Sequence, residues 1–248
     1  MTRIRAVLHA HSTWSYDGHW TLPAIARLYG RLGVRAVMMT EHDTGFDPAS
    51  FGDYRAACLA ASTPRCTLIP GIEYSSPDNA VHILTWGLDQ FLAEHRPVTE
   101  TLADVAAAGG AAILAHPVRR AAWMLFDPAW VPYLSGIELW NRKSDGLSWG
   151  IEALELIGAT GLPATVGQDF HRWRQLWPLI QVFDLPGPID DPALLEHALV
   201  AALRAGESRP MAFRRAVVPA RRTITGQLYP GLERFRRRLR DGLRQLQR

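Results

Sequence analysis

Ile4-Arg5-Ala6-Val7-Leu8-His9-Ala10-His11 joins a short apolar, β-branched run to two histidines one residue apart. The run reads as a β-strand. Side chains at i and i+2 of an extended chain share a face, so His9 and His11 are expected to project together from the strand's C-terminal end. Six comparable runs follow, at residues 36–40, 67–72, 81–86, 111–115, 136–140 and 163–167. Helix candidates lie at residues 22–30, 48–61, 101–108 and 147–159, and another, 192–205, follows the last strand with Gly206 as its stop. Seven strands alternating with helices imply an α/β fold with a parallel sheet and right-handed crossovers.

Histidines and carboxylates cluster at the ends of these strands. Asp17 follows His11 in Ser-Tyr-Asp-Gly, Glu41-His42-Asp43 follows the second strand, and Glu73 the third. His116-Pro117 follows the fifth strand and Asp169-Phe170-His171 the seventh, whereas His82 lies near the start of the fourth. Imidazole nitrogen and carboxylate oxygen are the donors that borderline divalent metals take, so the series reads as a multinuclear metal site. Strand C-termini from all round a closed ring converge on one face, while the outer strands of an open sheet would hold such groups too far apart. A barrel is therefore expected.

Composition sets the frame. The 248 residues suffice for one large α/β domain, and 48% hydrophobic content with nine Trp supports a sizeable core. No apolar run approaches the roughly 18 residues of a membrane span. The first eight residues run directly into His9, which leaves no room for a signal peptide, and Cys58 and Cys66 form neither a disulfide framework nor a zinc knuckle. A reducing cytoplasm is the expected location. Residues 1–213 carry 16 Lys and Arg against 22 Asp and Glu, whereas residues 214–248 carry 11 Arg against Glu233 and Asp241. The chain is thus expected to comprise a metallohydrolase domain, 1–213, and a helical, Arg-rich extension, 214–248. In that extension Leu232, Phe235, Leu239, Leu243 and Leu246 form one apolar stripe. The stripe would pack on the barrel or on a second subunit, giving a homo-oligomer. Alternatively, Arg234, Arg236, Arg237, Arg238 and Arg240 would bind nucleic-acid phosphate.

Taken in order, the motifs His9-Ala-His11, Glu41-His42-Asp43-Thr44, Gly71-Ile72-Glu73, Val81-His82-Ile83-Leu84, Ala115-His116-Pro117 and Gly167-Gln168-Asp169-Phe170-His171 resemble those of the polymerase and histidinol phosphatase (PHP) superfamily. The resemblance covers residues 4 to about 171. It implies a distorted seven-stranded (β/α)7 TIM-like barrel and a metal-dependent phosphoesterase with two to three divalent ions, Mn, Zn or Fe. It places His9, His11, Glu73 and Asp169 around a first ion, with Glu73 bridging to a second held by His82 and His116. Asp17, His42 and His171 would hold a third, with His19 as the competitor of Asp17. Glu41 stands where the family has Asp.

Arg119, Arg120, Arg142, Lys143, Arg172 and Arg174 all follow strand ends, and a planar guanidinium grips phosphate through two hydrogen bonds, which favours Arg119 and Arg142 as substrate-binding groups. Asp43 would orient His42, and Glu41 would do the same or move a proton. Trp14, Tyr16, Tyr74, Trp140 and Trp173 flank the ligands as candidate stacking surfaces. The leading expectation is hydrolysis of a phosphomonoester of a small metabolite or nucleotide. Phosphodiester cleavage in nucleic acid is the alternative, and a non-catalytic PHP module a third reading. His116-Pro-Val-Arg-Arg departs from the histidinol phosphatase pattern, and the short interval from His82 to His116 leaves no room for the insertion of some nucleotide phosphatases. An amidohydrolase reading is minor, because the only lysine, Lys143, follows the sixth strand, not a central one.

Overall fold

The computed structural model describes residues 1–217, so the apolar stripe and arginine cluster expected beyond them lie outside the described residues. In chain order the elements are β1 (Thr2–Ala10), α1 (Leu22–Arg31), β2 (Ala36–Met39), β3 (Glu41–His42), α2 (Phe51–Ala61), β4 (Thr67–Ile69), β5 (Gly71–Ser75) and β6 (His82–Trp86). There follow α3 (Val98–Ala107), β7 (Ala111–Leu114), β8 (Gly136–Asn141), α4 (Arg142–Asp145), α5 (Ile151–Thr160), β9 (Ala164–Phe170), β10 (Leu179–Leu185), α6 (Pro192–Arg204), β11 (Ser208–Ala212) and β12 (Arg215–Ala216).

All twelve strands belong to one mixed sheet. The second expected strand forms β2 and, past a break at Thr40, continues beyond its expected end as β3; the third is broken at Pro70, which has no N–H to give a ladder and separates β4 from β5. β1 pairs in parallel with β2, β2 with β4, β3 with β5, β7 with β8, β8 with β9, and β9 again with β1. The expectation of a uniformly parallel sheet is corrected by β6, which runs antiparallel to both β5 and β7. Residues 76–81 are too short a link for a parallel crossover. The reversal puts the start of β6, and with it His82, at the same end of the sheet as the C-termini of its neighbours. Three strands were not expected from the sequence: β10 adds antiparallel to β1, and β11 and β12 extend that edge. Phe213 and Arg214, both at positive φ, turn the β11–β12 hairpin, so the sheet runs on to Ala216.

Side-chain parity divides the interior into two cores. Val7, Val37, Met39, Ile72, Tyr74 and Ile83 face outward onto α1, α2 and α3 through Ile25, Tyr29, Tyr54, Cys58 and Leu102. Ile4, Ala6, Leu8, Met38, Leu84, Trp86 and Ile113 face the other way and pack on Phe183 and on Leu195, Leu199 and Leu203 of α6. α6 is fixed at its start by Asp191, whose carboxylate accepts the Leu194 N–H. The helix expected at 147–159 starts only at Ile151, as α5, and ends at a left-handed Gly161; the short α4, which was not expected, precedes it and stops at Gly146, φ 82°. No helix among the described residues is long and apolar enough to cross a membrane.

The Trp86 indole is buried where β5 crosses it and donates to the Met39 carbonyl at 2.8 Å. Gly71 makes this possible, since a Cβ there would collide with the indole and with the Thr85 and Met39 carbonyls. Gly71→Ala should lower unfolding free energy by about 3 kcal/mol, the overpacking cost of a rigid site. Chemical denaturation would read this as a lower midpoint; an unchanged midpoint would show that the indole has room to move.

Candidate metal centre

His9 should face outward by the parity of β1, since it follows Leu8 of the inner set and shares the parity of Val7. A bulge turns it inward. The registers of β1 with β2 and with β9 both slip between Leu8 and Ala10, and His9 takes φ 63°. Simple alternation therefore does not bring His9 and His11 together as expected: the backbone bends at His9, and the two ring centroids end 5.2 Å apart. Asp169 at φ 50° and His116 at φ 26° are turned likewise. Non-glycine residues in the left-handed region cost on the order of 1–3 kcal/mol each and persist where the surroundings hold them, which is typical of functional sites.

These turns deliver a buried cluster centred on Glu73. Glu73 Oε1 lies 2.6 Å from His82 Nδ1 and 2.8 Å from His116 Nε2. Oε2 lies 3.4 Å from both His9 Nε2 and His11 Nε2, and 3.2 Å from His42 Nδ1. Asp169 Oδ1 is 3.7 Å from His9 Nε2 and 3.5 Å from His11 Nε2. Ligands about 2.1 Å from a tetrahedral ion are separated by about 3.4 Å, so His9, His11, Glu73 and Asp169 stand at coordination spacing. A second such set is Asp17, His42 and His171. Asp17 Oδ1 is 3.3 Å from His42 Nε2 and 3.1 Å from His171 Nε2, and the two nitrogens are 3.4 Å apart. The contacts of Glu73 with His82 and His116 are hydrogen-bond distances, shorter than coordination edges.

Two further observations fit the donor set to metal. His11 Nε2, Asp17 Oδ1 and Asp169 Oδ1 are buried atoms that find no hydrogen-bond partner among the described residues, and all three point into these sets. The triads His11–His42–His171, His9–Glu73–His116 and His9–His11–Asp169 each bring donor atoms within 4.8 Å of one another. Electrostatics agree that positive charge is required here. Burial opposes ionisation of Glu73, yet His82 and His9 hold its pKa well below the carboxylate range. Burial would lower His42, but contact with Asp17 and Glu73 raises it to about 10. His11 is instead held low, by burial and by the neighbouring His171 and His42.

The other expected residues are placed as follows. Asp17 reaches the cluster, while the His19 side chain is exposed. Glu41 is buried and accepts the Ser12 N–H at 3.0 Å, the Ser12 hydroxyl at 2.7 Å and the Ser15 hydroxyl at 2.5 Å, so it fixes the loop that carries Asp17. Asp43 accepts the N–H groups of Ser75 and His95, and the ring of His42 is met by Asp17 and Glu73. Arg119 Nη1 lies 3.0 Å from His82 Nε2, at the cluster. Arg142 is placed away from these contacts: its guanidinium lies over the Trp177 ring, 4.7 Å from the centroid. Consecutive residues on a helical turn point about 100° apart, so the turn that sends Arg142 to Trp177 sends Lys143 to the cluster. Of the five aromatic residues, Tyr74 and Trp140 are buried packing and Trp14 is half-buried, whereas Tyr16 stacks on His42 and remains 75% exposed and Trp173 is 62% exposed.

Sequence reasoning missed Glu138. It is buried in β8, with Oε1 3.0 Å from His9 Nδ1 and Oε2 accepting the His116 N–H at 2.7 Å and the Asn141 amide at 2.9 Å. A carboxylate on the far nitrogen of a ligand histidine fixes the ring and raises its basicity. Gly167 leaves room for it: a Cβ there would strike the Glu138 carboxylate. Asn141 also reaches Asp169 Oδ2 at 3.3 Å, and Asn79, at φ 55°, meets His82 Nε2 at 2.6 Å. A lone Glu within an otherwise apolar strand, Gly136-Ile-Glu-Leu-Trp, was the available signal.

No family model and no curated protein matches the chain. Solved structures do. A two-domain Bacteroides vulgatus protein containing a predicted PHP-like metal-dependent phosphoesterase superimposes at TM-score 0.62 and 16% identity, covering 85% of this chain and 65% of its own length. PsfC from Pseudomonas syringae gives TM-score 0.62 and 16% identity over 96% of this chain and 99% of PsfC. The lesion-specific endonuclease Q of Pyrococcus furiosus gives TM-score 0.57 and 16% identity over 88% of this chain and 58% of the endonuclease. The chain thus spans just under two thirds of the Bacteroides protein. At these identities the likeness establishes the fold alone, which the chain shares with these structures.

Glu138→Gln removes the charge behind His9 while keeping the side chain's shape. It should weaken metal binding roughly 10–100-fold with the fold intact, as read by chelator competition. Wild-type affinity would reduce Glu138 to a packing residue.

Proposed function

We propose that this chain is a metal-dependent phosphoesterase, a hydrolase that cleaves a phosphomonoester of a small metabolite or nucleotide with two to three Mn, Zn or Fe ions. The observation that carries the reading is Glu73: one buried carboxylate lies within 3.4 Å of five imidazoles drawn from three strand ends and the segment after β7. The path of strand pairing that returns from β9 to β1 supports the distorted seven-stave barrel, with Thr40 and Pro70 each interrupting one stave.

When bound, the ions supply Lewis-acid polarisation of a phosphoryl oxygen and lower the pKa of an attacking water. His9, His11, Glu73 and Asp169 would hold the first, with Glu73 shared with a second on His82 and His116, and Asp17, His42 and His171 would take a third. The protein's own part is orientation. Glu138 holds the His9 ring, Glu41 braces the Asp17 loop, and Asn141 ties Asp169 to Glu138. Arg119, at the His82 edge, binds a phosphate oxygen of the ester and offsets charge as the P–O bond breaks. Tyr16 and Trp173 are exposed at the loops after β1 and β9 and would offer the leaving group a stacking surface.

A second reading, phosphodiester cleavage in nucleic acid, is favoured by the likeness to endonuclease Q and by the 11 arginines of residues 214–248. Screening metal-reconstituted protein against phosphomonoesters, phosphodiesters and oligonucleotides separates the two. Turnover of small monoesters is expected, and turnover of none of the three classes would overturn the hydrolase reading. Arg119→Ala should raise KM for the best monoester at least about tenfold, the weight of one charge-assisted contact, with metal content unchanged. Unaltered kinetics would place phosphate recognition elsewhere.

A further inference from the structure

Lys143 is the single lysine among 27 Lys and Arg residues, and it touches both coordination sets, Asp169 of one and Asp17 and His171 of the other. Its position is built into the chain. Asn141 Oδ1 accepts the Ser144 N–H at 2.8 Å, Asp145 Oδ2 accepts the Asn141 N–H at 2.8 Å, and Gly146 at φ 82° closes the turn. Nζ then lies 3.0 Å from His171 Nε2, 3.4 Å from Asp169 Oδ1 and 3.8 Å from Asp17 Oδ2.

His171 Nε2 is the donor atom that the Asp17–His42–His171 set would use. Its partner Nδ1 lies 3.0 Å from the Asp169 carbonyl, and an N–H given there leaves the Nε2 lone pair facing Asp17, His42 and the Lys143 ammonium. An ion about 2.1 Å from Nε2 can be no farther than about 5 Å from Nζ. A monovalent and a divalent cation at that separation repel strongly where burial limits screening, and only part of this side chain is in water. Lys143 has no such contact with Glu73, His82 or His116 among the described residues.

We propose that Lys143 is a resident cation that weakens the ion of the Asp17–His42–His171 set. The chain then binds two ions tightly and a third only weakly. Lysine suits the role because its ammonium is a compact point charge on a flexible stem, able to turn from the carboxylates toward an arriving phosphate. The proposal rests on reading the cluster as a metal centre.

The test is metal stoichiometry. Full-length protein is freed of metal with chelator and titrated with Mn or Zn in equilibrium dialysis. Wild type should show two tight ions and a third at least about tenfold weaker. Lys143→Met, which keeps length and removes charge, should tighten the third at least about tenfold. Lys143→Arg, which keeps the charge, should leave it weak. Lys143→Gln replaces Lys143→Met should circular dichroism show that the latter does not fold. Unchanged stepwise affinities in the neutral variant, or three equal ions in wild type, would overturn the proposal. Absence of any bound ion in all the proteins would remove the metal-centre reading itself.

Discussion

A carboxylate buried among imidazoles is the constraint on which the rest depends. Glu73 has almost no contact with water, and an isolated charge so placed would cost several kcal/mol. It is tolerable only if positive charge surrounds it, and the fold supplies that charge from β1, β3, β6 and the segment after β7. The reversal of β6, the bulge at His9 and the left-handed turns at His116 and Asp169 each serve this convergence. Backbone strain of this kind is sustained by the packed layers beneath, where Trp86 over Gly71 and the α6 leucines close the inner core.

Around this centre stands a shell of oriented carboxylates. Glu138, Glu41 and Asp43 are all buried, and each is satisfied by backbone N–H groups, with hydroxyl, amide or imidazole partners beside them. They restrict rotation of the ligand-bearing segments more than they add charge at the reacting centre. Such preorganisation is what a site needs if it is to stabilise a developing charge without rearranging.

The histidine and carboxylate series that the structure gathers round Glu73 stood out in the sequence because such residues at strand ends have few other reasons to recur in order. Six of the seven strand segments were readable as short apolar runs bounded by turn residues, and the fourth kept its place but not its direction. The six-residue link at 76–81 carried that information, since it cannot make a parallel crossover. Pro70 likewise marked the break between β4 and β5. What stayed hidden depends on three-dimensional facing: Glu138 stands out as a lone acid in an apolar strand, but only the opposing Gly167 and His9 reveal what it does. Which of Arg142 and Lys143 reaches the cluster depends on which side of one helical turn faces inward, and Arg142 lies instead on Trp177, distant in sequence. β10 escaped notice because Leu179-Ile-Gln-Val-Phe-Asp-Leu follows the last ligand motif and carries no chemistry of its own.

The most direct test is anomalous diffraction from crystals of the full chain grown with Mn or Zn. The account predicts one anomalous peak bounded by His9, His11, Glu73 and Asp169, and another on the opposite oxygen of Glu73, toward His82 and His116. Ordered protein with no anomalous peak at Glu73, or with metal bound only elsewhere, would contradict it.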